Sequence, residues 1–288
     1  MKVLSGLVNG GELRPLTAKE LPDAVSYLAS DAVRNLILIG FLKTAVTSQP
    51  HDGTFYGFWK NGIQQGVGLL GDVAAWAGGV EVAQALGERA RDSSSSQLNM
   101  VVGLAHEVEV FLHASQDKRS GNIETHLLYV LCRGELNSNV RSRISLRPAR
   151  REECQDLFRI HTDLYFELVG HPPRRPEISE QRLLRRIEEE RLWIAREGDK
   201  ILFKADVTTE TKDAVLIEGV WTNPDLRGHG IGGEALTALC GHLLSTYPMV
   251  CLFFVKDQSR LEAFYERIGF KYHGDCYDQT VVRYSGAA

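Results

Sequence analysis

The sequence predicts an α+β fold made of two tandem halves, each a mixed, mostly antiparallel sheet flanked by helices. Three observations carry this expectation. Two hairpin signals, around Lys60-Asn61-Gly62 and Glu197-Gly198-Asp199, each join apolar runs, and Gly198 lies 136 residues beyond Gly62. The triplet Leu13-Arg14-Pro15 returns as Leu146-Arg147-Pro148 at a spacing of 133, each copy followed by a polar cap region and an amphipathic helix. Finally, the branched and aromatic residues 215–221 read as a buried strand that passes through a glycine-rich turn into a helix.

Taken in order, residues 1–12 are expected to be a frayed end. Thr17, with Glu20 three residues on, offers a capping box for a helix to about Ser30, and Asp31 caps a second helix through Leu36, Ile37, Ile39 and Phe41. The break at 49–53 precedes the first hairpin, residues 54–59 against 63–70. Gly78 and Gly79 open a helix over 80–91, and Ser93 to Ser96 form a loop. A short strand at 100–103, a helix marked by Val108, Phe111 and Leu112, and a strand at 127–131 follow. The polar run 134–140 reads as a linker, dividing the chain into domains 1–140 and 141–288. In the second half the hairpin is 193–195 against 201–207.

Composition excludes several classes. A net charge of −4 and a pI near 6.2 argue against nucleic-acid or acidic-membrane partners. The five cysteines and nine histidines are scattered, with no C-x-x-C, which reads as reduced cytoplasmic thiols and no metal site. No run approaches transmembrane length, and the first seven residues are too short a segment for a signal peptide. A soluble, cytoplasmic protein is expected.

The stretch Arg227-Gly228-His229-Gly230-Ile231-Gly232-Gly233 runs into a helix whose stripe is Ile231, Ala235, Leu236, Leu239, Cys240, Leu243 and Leu244. The first turn of a helix carries N–H groups without partners and a partial positive charge. Glycines admit phosphate oxygens to those groups, and Arg227 adds a permanent cation able to fork onto phosphate. The bland alternative is a surface helix that starts with glycines; about 1 kcal/mol per helical glycine weighs against it. Read as G-x-G-x-x-G, with Asp257 downstream, the run also matches a dinucleotide fingerprint. Too few residues follow Gly233 to complete a doubly wound sheet, and the preceding chain looks like antiparallel hairpins.

Read instead as R-x-x-G-x-G, through Arg227, Gly230 and Gly232, the run resembles the acyl-CoA-binding loop of the GNAT superfamily of N-acyltransferases. A second signature agrees: Tyr265, Gly269 and Phe270 match Y-x-x-x-G-F, with Gln258 where the family usually has Asn. The resemblance spans roughly residues 144–284. The stretch Gly71 to Gly79 of the first half lacks the Arg and the glycine spacing, so the chain resembles tandem-GNAT proteins with a degenerate N-terminal copy. That copy would wall off one side of an acceptor site or form a subunit contact, as in a homodimer.

The resemblance implies an acyl-CoA-dependent N-acyltransferase, with acetyl-CoA as co-substrate and a small-molecule or peptide amine as acceptor. It implies a pyrophosphate held by Arg227, Gly228, His229, Gly230, Ile231, Gly232 and Gly233, with Gln258 at the edge of the cofactor site. Backbone N–H groups around Val220, Trp221 and Thr222 would grip pantetheine and polarise the thioester. Glu218, sharing a strand face with Val220 and Thr222, is the candidate base, or else a strand glutamate held in an ion pair. Tyr265 would protonate the leaving thiolate, or else simply pack. The segment 167–176, rigidified by three prolines, would shape the acceptor pocket, where His171 either lines it or faces solvent. A non-catalytic acyl-CoA-binding protein is the alternative function.

Overall fold

Pairing starts earlier than the frayed end expected for residues 1–12. In the computed structural model, which describes residues 6–8, 10–46, 53–92, 98–137, 144–169 and 176–284, strand β1 (Gly6–Val8) pairs antiparallel with β2 (Gly11–Pro15). These segments are too short to announce themselves. Their strand state comes from β2 pairing with β3 (Gly53–Lys60).

The expected capping box is modified. Helix α1 (Leu21–Leu28) begins after Glu20, and Glu20 turns back to accept from the Thr17 N–H (2.8 Å) and hydroxyl (2.7 Å). Helix α2 (Leu36–Val46) follows a turn in which the Arg34 N–H donates to Asp31. The hairpin of β3 with β4 (Ile63–Gly71) forms as expected, with Asn61 (φ 52°) and Gly62 (φ 76°) in the left-handed turn that the Asn-Gly pair favours. A strand absent from the sequence reading, β5 (Val73–Ala77), pairs antiparallel with β4 and parallel with β6 (Met100–Gly103). Helices α3 (Val80–Asp92) and α4 (Ala105–Ser115) and strand β7 (Gly121–Cys132) complete this half; the Ser93–Ser96 loop lies outside the described residues.

The second half repeats the order: β8 (Leu146–Pro148), α5 (Cys154–Val169), α6 (Pro176–Glu188), β9 (Leu192–Glu197), β10 (Lys200–Glu210), β11 (Ala214–Thr222), α7 (Ile231–Thr246), β12 (Met249–Val255) and α8 (Ser259–Ile268). The short β13 (Lys271–Tyr272) and β14 (Gln279–Tyr284) end it. The Leu-Arg-Pro repeat extends to its side chains. Arg14 grips Glu20 through two bonds of 2.6 and 3.1 Å, and Arg147 grips Glu153 through two of 2.7 and 2.9 Å. Each glutamate also accepts the N–H three residues before it, at 2.8 Å from Thr17 and 2.8 Å from Arg150.

The chain divides into two compact units, each drawn from more than one stretch of sequence. One holds Met1–Leu128, Phe253–Asp257 and Tyr272–Ala288; the other holds Tyr129–Leu252 and Gln258–Lys271. In the first unit the late strand β14 pairs antiparallel with both β6 and β7, and that pairing draws the C-terminal residues into this unit. Val281 of β14 joins the core under α1 and α2, with Leu28, Ile39, Leu42 and Phe55; its neighbour Val282 joins the opposite core under α3 and α4, with Phe58, Leu86 and Phe111. In the second unit α5 and α6 pack Leu157, Leu183 and Ile187 onto Leu192, Ile194 and Ile201. Helix α7 buries Ala235, Leu236, Leu239, Cys240, Leu243 and Leu244, and each fully buried Leu stabilises by about 1.5–3 kcal/mol.

Candidate functional site

The second unit contains the residues singled out from the sequence. Strand β11 is the organising element. Its parallel register with β12 covers Ala214↔Met249, Val215↔Val250 and Leu216↔Cys251, and then stops, although β11 continues to Thr222. On its other edge, Lys204↔Trp221 is followed by Asp206↔Glu218, so Gly219 and Val220 of β11 stand against the single residue Ala205 of β10. The bulge falls at Gly219, whose φ of 56° suits glycine. Glu218, just before it, is exposed and shares a face with its register partner Asp206. Val220, Trp221 and Thr222 are half-buried, and Trp221 packs against the core of α5, α6 and β9.

Asn223 ends the strand by accepting from the Asp225 N–H at 3.1 Å, and a short 3₁₀ turn, Pro224–Leu226, leads to the loop. Arg227 donates Nε–H to the Thr222 carbonyl at 3.3 Å and is 3.9 Å from Glu167, with its side chain 53% exposed. His229 is exposed, its Nδ1 3.0 Å from the Arg227 carbonyl oxygen. Gly228 (φ 82°) and Gly230 (φ 83°) are left-handed, and no atom lies within 4 Å of where a Cβ would stand at either. Gly232 is required for a different reason: its Cβ would meet Thr222 Oγ1 at 2.4 Å, so it lets α7 approach β11. The first intrahelical bond runs from Glu234 N–H to the Gly230 carbonyl at 3.0 Å, which leaves the N–H groups of Ile231, Gly232 and Gly233 ahead of it. Open glycine backbone, a helix N-terminus and a half-exposed guanidinium together suit a pyrophosphate.

Gln258 is exposed at the N-cap of α8, makes no side-chain cap, and accepts the Leu261 and Glu262 N–H groups through its carbonyl. Tyr265, about two helical turns further on, is 7% exposed and set edge-on between Phe264 (5.2 Å) and Phe270 (5.8 Å). Burial pushes its phenol up to about 12, with the neighbouring Cys240 thiol adding. His171 and most of the proposed acceptor segment lie outside the described residues. The dinucleotide reading fails structurally: β11 pairs antiparallel with β10 and parallel only with β12, where a doubly wound sheet would be mostly parallel. Among the described residues no group of three His, Cys, Asp or Glu could hold a metal, and no helix is long and apolar enough to cross a membrane.

Sequence reasoning missed a polar cluster behind the bulge. Lys204 (0% exposed) and Asp206 (2%) form an ion pair with both Nζ–O distances at 3.1 Å, and Arg186 reaches Asp206 at 3.2 Å. His161 of α5 lies in the same field. Burial, then Lys204 and Arg186, hold it down at about 4 against the opposing pull of Asp206, so it is neutral at pH 7. A Lys-x-Asp alternation on a strand ordinarily marks a solvated face, so nothing in the sequence marked this one as buried.

Residues 188–272 match the family model described as an acetyltransferase (GNAT) domain. No curated protein matches the chain. Among solved structures, a tandem GNAT protein from the clavulanic acid biosynthesis pathway is similar over 96% of this chain and 100% of its own, at TM-score 0.60 and 14% identity. A GCN5-related N-acetyltransferase from Sphaerobacter thermophilus is similar over 98% of each chain, at TM-score 0.61 and 12% identity. An acetyltransferase of the GNAT family from Colwellia psychrerythraea covers 95% of this chain and 99% of its own, at 0.57 and 14%. Identities this low speak for the fold alone, while the family match falls on the strand, loop and helix described above. Residues 188–272 thus match a GNAT acetyltransferase domain, within a chain whose fold is similar to that of a tandem GNAT protein.

Proposed function

We propose that the second unit is an N-acetyltransferase, moving the acetyl group of acetyl-CoA to a primary amine by direct attack while both are bound. One observation carries the reading: β11 leaves its parallel partner after Leu216, bulges at Gly219, and ends just before an open, glycine-lined helix N-terminus flanked by Arg227. A thioester whose long pantetheine arm leads to a pyrophosphate is the ligand such a strand and loop would suit. When bound, acyl-CoA supplies an activated acyl group on a thiol leaving group.

The chain's residues then divide the work. Arg227 and the N–H groups of residues 228–233 hold the pyrophosphate. N–H groups of Val220, Trp221 and Thr222 grip the pantetheine arm and polarise the carbonyl. Glu218, exposed beside the bulge, takes the proton from the acceptor's ammonium, directly or through water. Tyr265 donates a hydrogen bond to the departing sulfur. The acceptor is a small-molecule or peptide amine, and the first half, without the loop, is a non-catalytic copy.

The test begins with melting temperature, because a ligand that binds only the native state must stabilise it. Acetyl-CoA or CoA should raise it and NADH should not. Release of free thiol against a panel of amines then reads the reaction. Stabilisation by NADH alone refutes the reading. Stabilisation by CoA with no turnover on any amine would leave an acyl-CoA-binding protein.

A further inference from the structure

A fully buried lysine needs a reason. Taking Lys204 and Asp206 out of water costs several kcal/mol per ion in proteins generally, and a well-packed apolar pair usually serves stability as well. The pair sits at one particular place. A Cβ on Gly219 would lie 2.9 Å from Asp206 Oδ2 and 3.1 Å from Lys204 Nζ, so both charged groups press on the backbone at the bulge. The register jump falls between the same two residues, Lys204 and Asp206. Arg186 of α6, 30% exposed, clasps Asp206 from the outside.

The first half supplies an internal comparison. Its corresponding strands, β4 and β5, pair without a shift over Val67↔Ala77, Gly68↔Trp76 and Leu69↔Ala75, and no ion pair stands among those residues. That half also lacks the Arg-glycine loop. Among the described residues, the bulge and buried pair between β10 and β11 have no counterpart between β4 and β5, the strands that precede a turn without the Arg-glycine loop.

We propose that Lys204 and Asp206 are positioning residues of the acyl-transfer site: their ion pair fills the hollow behind the Gly219 bulge and fixes the direction of the β11 N–H groups that receive the acyl carbonyl. Lys204 ties to both carboxylate oxygens, and Asp206 carries that tie to α6 through Arg186. The bulge then cannot relax into a regular ladder, which would turn the N–H groups after Gly219 to the other edge. The proposal rests on the acyl-CoA reading above.

The experiment reads the thioester carbonyl directly, using acetyl-CoA labelled with ¹³C at the carbonyl and infrared difference spectroscopy. In the wild type, bound label should absorb at lower frequency than free label. The double variant K204M/D206L replaces the pair by apolar side chains of similar volume, so it should melt near the wild-type temperature. It should still bind CoA, because the Arg227 loop is untouched, losing no more affinity than the β11 contacts to pantetheine supply, yet lose at least half of the carbonyl shift. The variant K204Q/D206N keeps a hydrogen-bonded pair of the same shape and should retain most of the shift. It decides the matter alone if the apolar variant does not fold. A full wild-type shift in K204M/D206L, or complete loss in K204Q/D206N with normal CoA binding, overturns the positioning role. A wild type that binds no CoA overturns the acyl-CoA reading and this inference with it, and the two failures are thereby told apart.

Discussion

Tyr265→Phe tests the chemistry most directly, and its magnitude can be worked from the burial of the phenol. With the phenol pushed up to about 12 and a free thiol near 8.5, complete proton transfer to the thiolate is uphill by about 3.5 pH units, or about 5 kcal/mol. Tyr265 therefore serves better as a hydrogen-bond donor to sulfur as charge develops than as a full acid. A hydrogen bond to a charged group contributes about 1.5–3 kcal/mol, which is roughly 10- to 150-fold in rate. The Phe variant keeps the ring and its edge contacts to Phe264 and Phe270, so CoA affinity and melting temperature should stay close to wild type. The assay is thiol release at saturating acetyl-CoA with the amine varied, and kcat and kcat/KM should fall together. Calorimetry with CoA serves as the binding control. A variant that binds CoA normally and turns over at the wild-type rate would remove Tyr265 from the mechanism and leave water or the acceptor's own ammonium as proton source.

Arg227→Ala should weaken CoA binding by about 1.5–3 kcal/mol, with dephospho-CoA losing as much; equal affinity in the variant would mean that the loop holds no pyrophosphate. Calorimetry should find one CoA per chain, because β5 is followed only by Gly78 and Gly79 before α3, and Trp76 is committed to Phe111 (5.1 Å, stacked) and to Glu107 (2.9 Å); a stoichiometry near two would contradict this. Glu153 is held at about 2, first by its hydrogen bonds to Arg147, so its contribution is complete above 4.5 and is lost as pH falls toward 2. Glu153→Gln should cost about 2–3 kcal/mol at pH 7, and denaturant curves of variant and wild type should converge across that window. Parallel curves at all pH values would show that the charge contributes nothing.

What could be read from the sequence was whatever local chemistry alone decides. Asn61-Gly62 demands left-handed backbone, so the hairpin of β3 and β4 could be placed. The Leu-Arg-Pro repeat pointed to duplication, and the structure extends it to matching Arg14–Glu20 and Arg147–Glu153 clamps. The Arg227 loop was visible because clustered glycines at a helix start have few other uses. What escaped was set by distant partners. Val73–Ala77 is mostly alanine and is a strand because β4 and β6 flank it. Thr17 looked like a cap, yet Glu20 is drawn back by Arg14 and the helix starts beyond it. Lys204 and Asp206 alternate like surface residues and are buried only because α5 and α6 cover that face. No local rule could have placed β14 between β6 and β7.

That last strand sets a schedule for the molecule's birth. A ribosome delivers β6 and β7 early and β14 only after about 150 further residues, roughly 10–30 s later at ordinary elongation rates. Through that interval the slot between β6 and β7 stays vacant, with two rows of backbone N–H and C=O groups waiting for a strand. Val281 and Val282 are missing from the cores on both faces for the same period. The first unit is thus translated first and finished last, and a neighbouring nascent chain could fill the slot with its own Gln279–Tyr284 in the meantime.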